Sequence, residues 1–106
     1  MYKIIVWGFG GCYNRMRNTI TYFEYTHQIR IVAIADKSAY MKMLDGYRVI
    51  TPDEILSLDW DYIIVMTDKG FDAIVSAATK DYNIKREKLV PYRILLIPGL
   101  SLNTYF

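Results

Sequence analysis

The residues best suited to chemistry form one short run, Gly8-Phe9-Gly10-Gly11-Cys12-Tyr13, directly after the apolar stretch Ile4-Ile5-Val6-Trp7. The run supplies the first two glycines of a G-x-G-x-x-G sequence. The first permits a tight strand-to-helix turn and the second lets a phosphate approach the backbone. A helix starting there presents N–H groups without intrahelical acceptors, and its dipole favours an anion at that end. Tyr13 stands where a third glycine would allow close helix–strand packing. Its ring is expected to widen that approach, and to stack on a ligand or close the pocket. Asp36 ends a second apolar run, somewhat beyond the usual spacing of about 20 residues for a carboxylate that bonds ribose hydroxyls. Lys37 beside it leaves the choice between NAD and NADP open, and Thr67 with Asp68 is expected to form the opposite wall. The candidates for holding a ligand are therefore Gly8, Phe9, Gly10, Gly11, Cys12, Tyr13, Asp36, Lys37, Thr67 and Asp68. The plainer alternative is a tight strand-to-helix turn followed by a strand-end aspartate.

Other reactive side chains read more simply as structural. Cys12 at a helix N-terminus could ionise readily, but no base lies near it in sequence, and a packing cysteine is the simpler assignment. His27 falls on the apolar stripe or at the end of the first helix, where a capping role is commoner than acid–base work. Asp59 and Asp61 flank Trp60 before a strand, at the edge away from the glycine turn, and read as turn residues. With one cysteine and one histidine there is no zinc set to assemble. No catalytic residue is assigned and no metal is expected.

These groups need elements to position them. Tyr2 to Trp7 reads as a buried strand. Tyr13, Met16, Ile20, Phe23 and His27 recur at helical spacing. Ile29 to Ala35 reads as the second strand, completing a βαβ unit. Lys37 to Leu44 has room for a brief helix, and Asp45-Gly46 signals a turn into a short strand, Tyr47 to Ile50. Thr51-Pro52-Asp53-Glu54 carries a capping box with proline at the first helical position. The strand Tyr62 to Met66 precedes the Thr67–Gly70 junction and a helix whose Phe71, Ile74, Val75 and Ala78 share a face, with Asn83 as its stop. A charged turn, Lys85 to Lys88, leads to a last apolar run through Leu89-Val90 and Tyr92 to Ile97. This alternation predicts an α/β, Rossmann-like three-layer sandwich with a mostly parallel five-stranded sheet in the order 3-2-1-4-5. Ligands in such sheets bind beyond the carboxyl ends of the strands, where the order reverses. The glycine turn, Asp36 and the Thr67–Gly70 junction all map to that edge.

Length and composition agree with one domain, residues 1–106. The net charge of +2, from 13 basic and 11 acidic residues, is too balanced for nucleic-acid binding by bulk electrostatics. Arg15 with Arg17, and Lys85, Arg86 and Lys88, read as a solvated helix face and a charged turn. No apolar run approaches the roughly 18 residues of a membrane span. No signal-peptide pattern opens the chain, and the lone cysteine agrees with a reducing compartment, so a cytoplasmic location is expected. The apolar segment from Tyr92 to Leu100 predicts a homodimer or contact with a downstream domain.

The runs Ile4–Tyr13, Ile34-Ala35-Asp36, Leu44–Glu54 and Asp61–Val65, with Ile97-Pro98-Gly99, resemble the small N-terminal Rossmann-like domains of bacterial capsular and exopolysaccharide biosynthesis proteins. The resemblance implies a nucleotide- or nucleotide-sugar-binding module, not catalytic alone; similar modules front sugar acetyltransferases, and that likeness implies that Gly8, Gly10, Gly11 and Asp36 face the nucleotide sugar. Two other readings compete with it. One is an NAD(P)-binding fragment of a sugar-nucleotide dehydratase or epimerase, against which no Tyr-x-x-x-Lys dyad occurs. The other is a ligand-free interaction domain.

Overall fold

Isoleucine, valine and alanine fill the central strands because both faces of the sheet are covered, so consecutive residues are buried. A computed structural model of the chain describes residues 1–38, 40–67 and 69–96. Its strands are β1 (Tyr2–Trp7), β2 (Ile29–Ala35), β3 (Met43–Leu44), β4 (Tyr47–Ile50), β5 (Tyr62–Val65) and β6 (Leu89–Pro91). The helices are α1 (Gly11–Tyr25) and α2 (Phe71–Asp81), and three short 3-10 segments span Pro52–Ser57, Arg86–Lys88 and Tyr92–Leu96.

The strands form one six-stranded sheet in the order β3-β4-β2-β1-β5-β6. β1 lies centrally, parallel to β2 (Val6 opposite Ile34) and to β5 (Val6 opposite Ile64). β4 and β6 extend the sheet in parallel on either side, and β3 runs antiparallel to β4. This corrects the expected five-stranded Rossmann-like sandwich in three points. The sheet has six strands, it is mixed, and only two α-helices cover it among the described residues. The brief helix expected over Lys37–Leu44 is absent among the described residues there. Instead Met43-Leu44 pairs with Arg48 and Tyr47 around the turn Asp45-Gly46. Both turn residues have positive φ, 54° and 83°, as a two-residue hairpin loop requires. The segment after Thr51 is a 3-10 turn, although Glu54 Oε2 accepts the Thr51 N–H at 3.0 Å as a capping box requires. Of the apolar run expected from Tyr92 onward, Tyr92–Leu96 coil into a 3-10 turn instead of extending, and the part from Ile97 to Leu100 lies outside the described residues.

Successive side chains of β1 point to opposite faces. Ile4 and Val6 join α1 residues Tyr13, Met16, Ile20 and Phe23, with Ile94 and Leu95 of the last 3-10 segment. Ile5 and Trp7 join Ile55 and α2, where Ala78 is buried and Phe71, Ile74 and Val75 pack at the margin. α1 ends in a Schellman motif: Gln28 N–H donates to Phe23 O and His27 N–H to Glu24 O, both at 3.0 Å, with His27 at φ 61°. His27 is thus an exposed capping residue. At the amino ends of the strands, Asp61 Oδ2 accepts the Lys3 N–H at 2.8 Å and Asp59 pairs with the Lys3 ammonium. Both acids lie away from the glycine turn. No helix among the described residues is long and apolar enough to cross a membrane.

Candidate functional site

Parallel strands deliver their carboxyl ends to one edge, and α1 and α2 begin there. Between them opens a cleft of about 580 Å³. Its floor is Trp7 and Met66, its first wall runs from Gly8 to Arg15, and Asp36 and Lys37 close one side. Thr67, Lys69 and the α2 residues Ala73, Ile74 and Ala77 form the wall opposite α1.

The three glycines do different things. Gly8 has φ 109°, and a Cβ there would sit 3.1 Å from the Met66 carbonyl oxygen. Its N–H donates to Ala35 O at 2.8 Å, and Met66 N–H donates to Trp7 O at 2.8 Å, so the backbones of neighbouring strand ends meet closely here. A Cβ on Gly10 would meet nothing within 4 Å, and one on Gly11 only the Arg15 guanidinium at 3.6 Å. The backbone at Gly10–Gly11 is therefore open to the cleft. The first i→i−4 bond of α1 runs from Asn14 N–H to Gly10 O at 3.1 Å. No side chain caps this end, and no acidic residue sits in its first turn. A phosphate or carboxylate would find donors and a favourable dipole there.

Asp36 ties the glycine turn to the end of β2. Its Oδ1 accepts the Ser38 N–H at 2.8 Å, and its Oδ2 the Phe9 N–H at 3.4 Å. Across the cleft, Thr67 Oγ1 accepts the Gly70 N–H at 3.3 Å, shaping the entry to α2.

Of the sequence candidates, Gly8, Gly10, Gly11, Cys12, Asp36, Lys37 and Thr67 line the cleft. Asp68 lies outside the described residues. Phe9 turns aside and meets Tyr40 edge-on, with ring centroids 5.9 Å apart. Tyr13 neither stacks over the cleft nor closes it. It is buried, and its hydroxyl donates to Asp45 Oδ2 at 2.8 Å. Helix geometry explains this, because two residues turn α1 by about 200°, which places Tyr13 opposite Gly11. Burial, and then the bond to Asp45, pushes the Tyr13 phenol above its ordinary value.

The same geometry identifies what sequence reasoning missed. Arg15 lies four residues after Gly11, about 40° away, and so shares the cleft face. Grouping it with Arg17 by proximity hid this, since Arg17 instead pairs with Asp45 at 2.7 Å. Lys69, within the Thr67–Gly70 junction, also lines the cleft. Among the described residues no charged side chain is buried, and no group of three or more metal-ligating side chains occurs. The arrangement offers backbone donors, cations and one carboxylate around an apolar floor, which suits binding an anion.

An open, mixed α/β sheet with a glycine turn and a ligand-sized cleft at its strand carboxyl ends defines the class. Within it, the chain belongs to the C2185-like family: residues 1–90 match the family described as C2185-like, N-terminal. That match replaces the resemblance to capsular and exopolysaccharide biosynthesis domains, which rested on short runs of residues alone. No curated protein matches the chain.

Proposed function

We propose that this domain binds a phosphate-bearing nucleotide, or a nucleotide-sugar, in the cleft, and that it serves as a binding module and not as an enzyme by itself. The observation that carries this reading is the open backbone at Gly10–Gly11, set at the start of α1 in a cleft that also holds Arg15, Lys37 and Lys69. Phosphate would lie over the turn, and the ribose would approach Asp36, whose oxygens retain acceptor capacity beside their two backbone bonds. A dinucleotide is the second reading, favoured by a carboxylate at the end of β2 beside the glycine turn. The buried lone thiol of Cys12 suits a reducing, cytoplasmic setting. A second copy or a following domain is the proposed neighbour of the segment that starts at Tyr92, where Leu96 is exposed.

The test is a thermal-shift panel of UDP-sugars, NAD(H), NADP(H) and coenzyme A. A ligand at about 100 times its Kd should stabilise the native state by about 2.7 kcal/mol. UDP-sugars shifting the transition support the first reading, and only the nicotinamide cofactors doing so support the second. No shift with any of them favours an interaction domain without a small-molecule ligand.

A further inference from the structure

The two tryptophans of the chain differ in how their indole N–H groups are satisfied. That of Trp60 donates to Ile55 O at 3.0 Å. Trp7 is 4% exposed, yet no acceptor among the described residues takes its N–H. No described side-chain nitrogen or oxygen is both sealed from solvent and unpartnered, so this N–H reaches an opening. The opening that Trp7 lines is the cleft. Burial fixes the ring there, with Tyr82 edge-on at 6.0 Å between centroids. A buried tryptophan usually finds a partner for its N–H, because an unpaired donor in apolar surroundings is costly. Here the protein leaves that place to something in the cleft.

The surroundings of the indole say what that is. Beside it the cleft is lined by Met66 and by Ala73, Ile74 and Ala77 of α2. The two alanines stand about 6 Å apart along the helix axis, and their short side chains leave a recess between α2 and the floor. The hydroxyl in this wall, that of Thr67, already accepts the Gly70 N–H at 3.3 Å, and Lys69 is exposed. Arg15, Asp36 and Lys37 belong to the other walls. Water in the recess is poorly held, so an apolar group displaces it favourably. A sugar ring there would leave hydroxyls without partners. The one polar demand of the recess is an acceptor for the indole.

We infer that the α2 side of the cleft is a subsite for an apolar ring or short chain bearing a carbonyl, whose oxygen accepts the Trp7 indole N–H. This rests on the reading of the cleft as the ligand site, and it concerns the uncharged end of the ligand, independently of any phosphate.

The experiment follows the indole N–H resonances of the nitrogen-15-labelled full chain, with Trp7→Phe assigning the Trp7 signal. The probes are acetophenone and ethylbenzene, which differ by one carbonyl oxygen. Acetophenone should move the Trp7 proton downfield to saturation, leave that of Trp60 in place, and bind about two- to tenfold more tightly than ethylbenzene. Trp7→Phe should abolish this preference. Ala73→Leu, at an exposed helical position that keeps the fold, should fill the recess and weaken both probes. No saturable shift at Trp7, equal affinities for the two probes, or binding undiminished in Ala73→Leu overturns the inference. If a nucleotide binds without moving the Trp7 signal, the nucleotide reading stands and this inference falls. If acetophenone shows the expected pattern while no nucleotide binds, the inference stands and the nucleotide reading falls.

Discussion

At the scale of single residues, the two glycines of the G-x-G run separate a folding constraint from a binding one. Gly8 has a left-handed φ and a carbonyl 3.1 Å from where a Cβ would stand. Gly8→Ala should therefore destabilise the domain by about 1–3 kcal/mol. Gly10 has ordinary φ and open space above it. Gly10→Val should cost only about 0.5–1 kcal/mol, because valine caps α1 less well than glycine, while abolishing any phosphate binding, because its methyls fill the anion's place. Melting curves for both variants, beside titration of the best ligand, check this. Equal stability loss in the two would mean that Gly10 too is only a turn residue. The positions of these glycines were legible because a tight turn leaves a compositional mark. The direction of Tyr13 was not. The fingerprint aligns position thirteen with a packing glycine, but a tyrosine there is accommodated by the β3–β4 hairpin turn, whose Asp45 receives its hydroxyl. That pairing spans 32 residues and leaves no local signal in the sequence. Arg15 and Lys69 escaped for the opposite reason: charged residues on a helix or junction look solvated until the facing wall is known.

At the scale of elements, α1 and the hairpin are fastened by carboxylates. Asp45 accepts from Tyr13 and pairs with Arg17, while Glu24 accepts from the Tyr47 hydroxyl and from Ile31 N–H at 3.0 Å. Burial first, then the carboxylate bond, raises both phenols above their ordinary value. An unfolded chain loses phenolic protons near pH ~10, whereas these two sites keep theirs. Above that pH the unfolded state therefore binds fewer protons than the native state, and stability falls as pH rises. Full stability is expected below about pH 10, with progressive loss beyond it. The double variant Tyr13→Phe, Tyr47→Phe should cost about 1–3 kcal/mol per site at neutral pH and flatten the alkaline loss. Urea midpoints measured across this range decide the matter, and an unchanged slope in the double variant contradicts it. The cap of α1 makes an independent prediction. His27 holds a left-handed φ that glycine adopts freely, so His27→Gly should gain about 0.5–1 kcal/mol despite the greater freedom of its unfolded chain. A lower melting temperature would show that the ring makes a contribution the cap geometry does not account for. Helix α1 was legible from its apolar stripe, and the hairpin turn from Asp45-Gly46. Strand β3 was not, since two residues cannot display a period, and the capping box at Thr51–Glu54 marks a helical start without telling a 3-10 turn from an α-helix.

For the whole molecule, both sheet edges are short: β3 has two residues, and β6 has three and ends at Pro91, which has no N–H to donate. Such edges resist pairing with other chains, so association through added strands is not the expected mode. The core, by contrast, is not complete at β6. The family match ends at residue 90, yet Ile94 and Leu95 are 6% and 4% exposed and close the α1-side cluster over Ile4, Val6 and Ile64. Fully burying a side chain of this kind is worth about 1.5–3 kcal/mol. Domains of this size are stable by only about 5–15 kcal/mol in total. Ile94→Ala and Leu95→Ala should each cost about 2–5 kcal/mol, through lost transfer energy and the cavity left behind. Leu96→Ala, at an exposed position, should stay within about 0.5 kcal/mol. A chain cut after Pro91 loses both buried residues and uncovers the faces of Ile4, Val6 and Ile64. It should unfold without a sharp transition, or bind a hydrophobic dye, where the full chain melts cooperatively. Calorimetry of the cut chain beside the three point variants is the decisive comparison. If the chain ending at Pro91 melts as sharply and within about 1 kcal/mol of the full one, the last 3-10 turn only rests on the core, and the folding unit coincides with the family match.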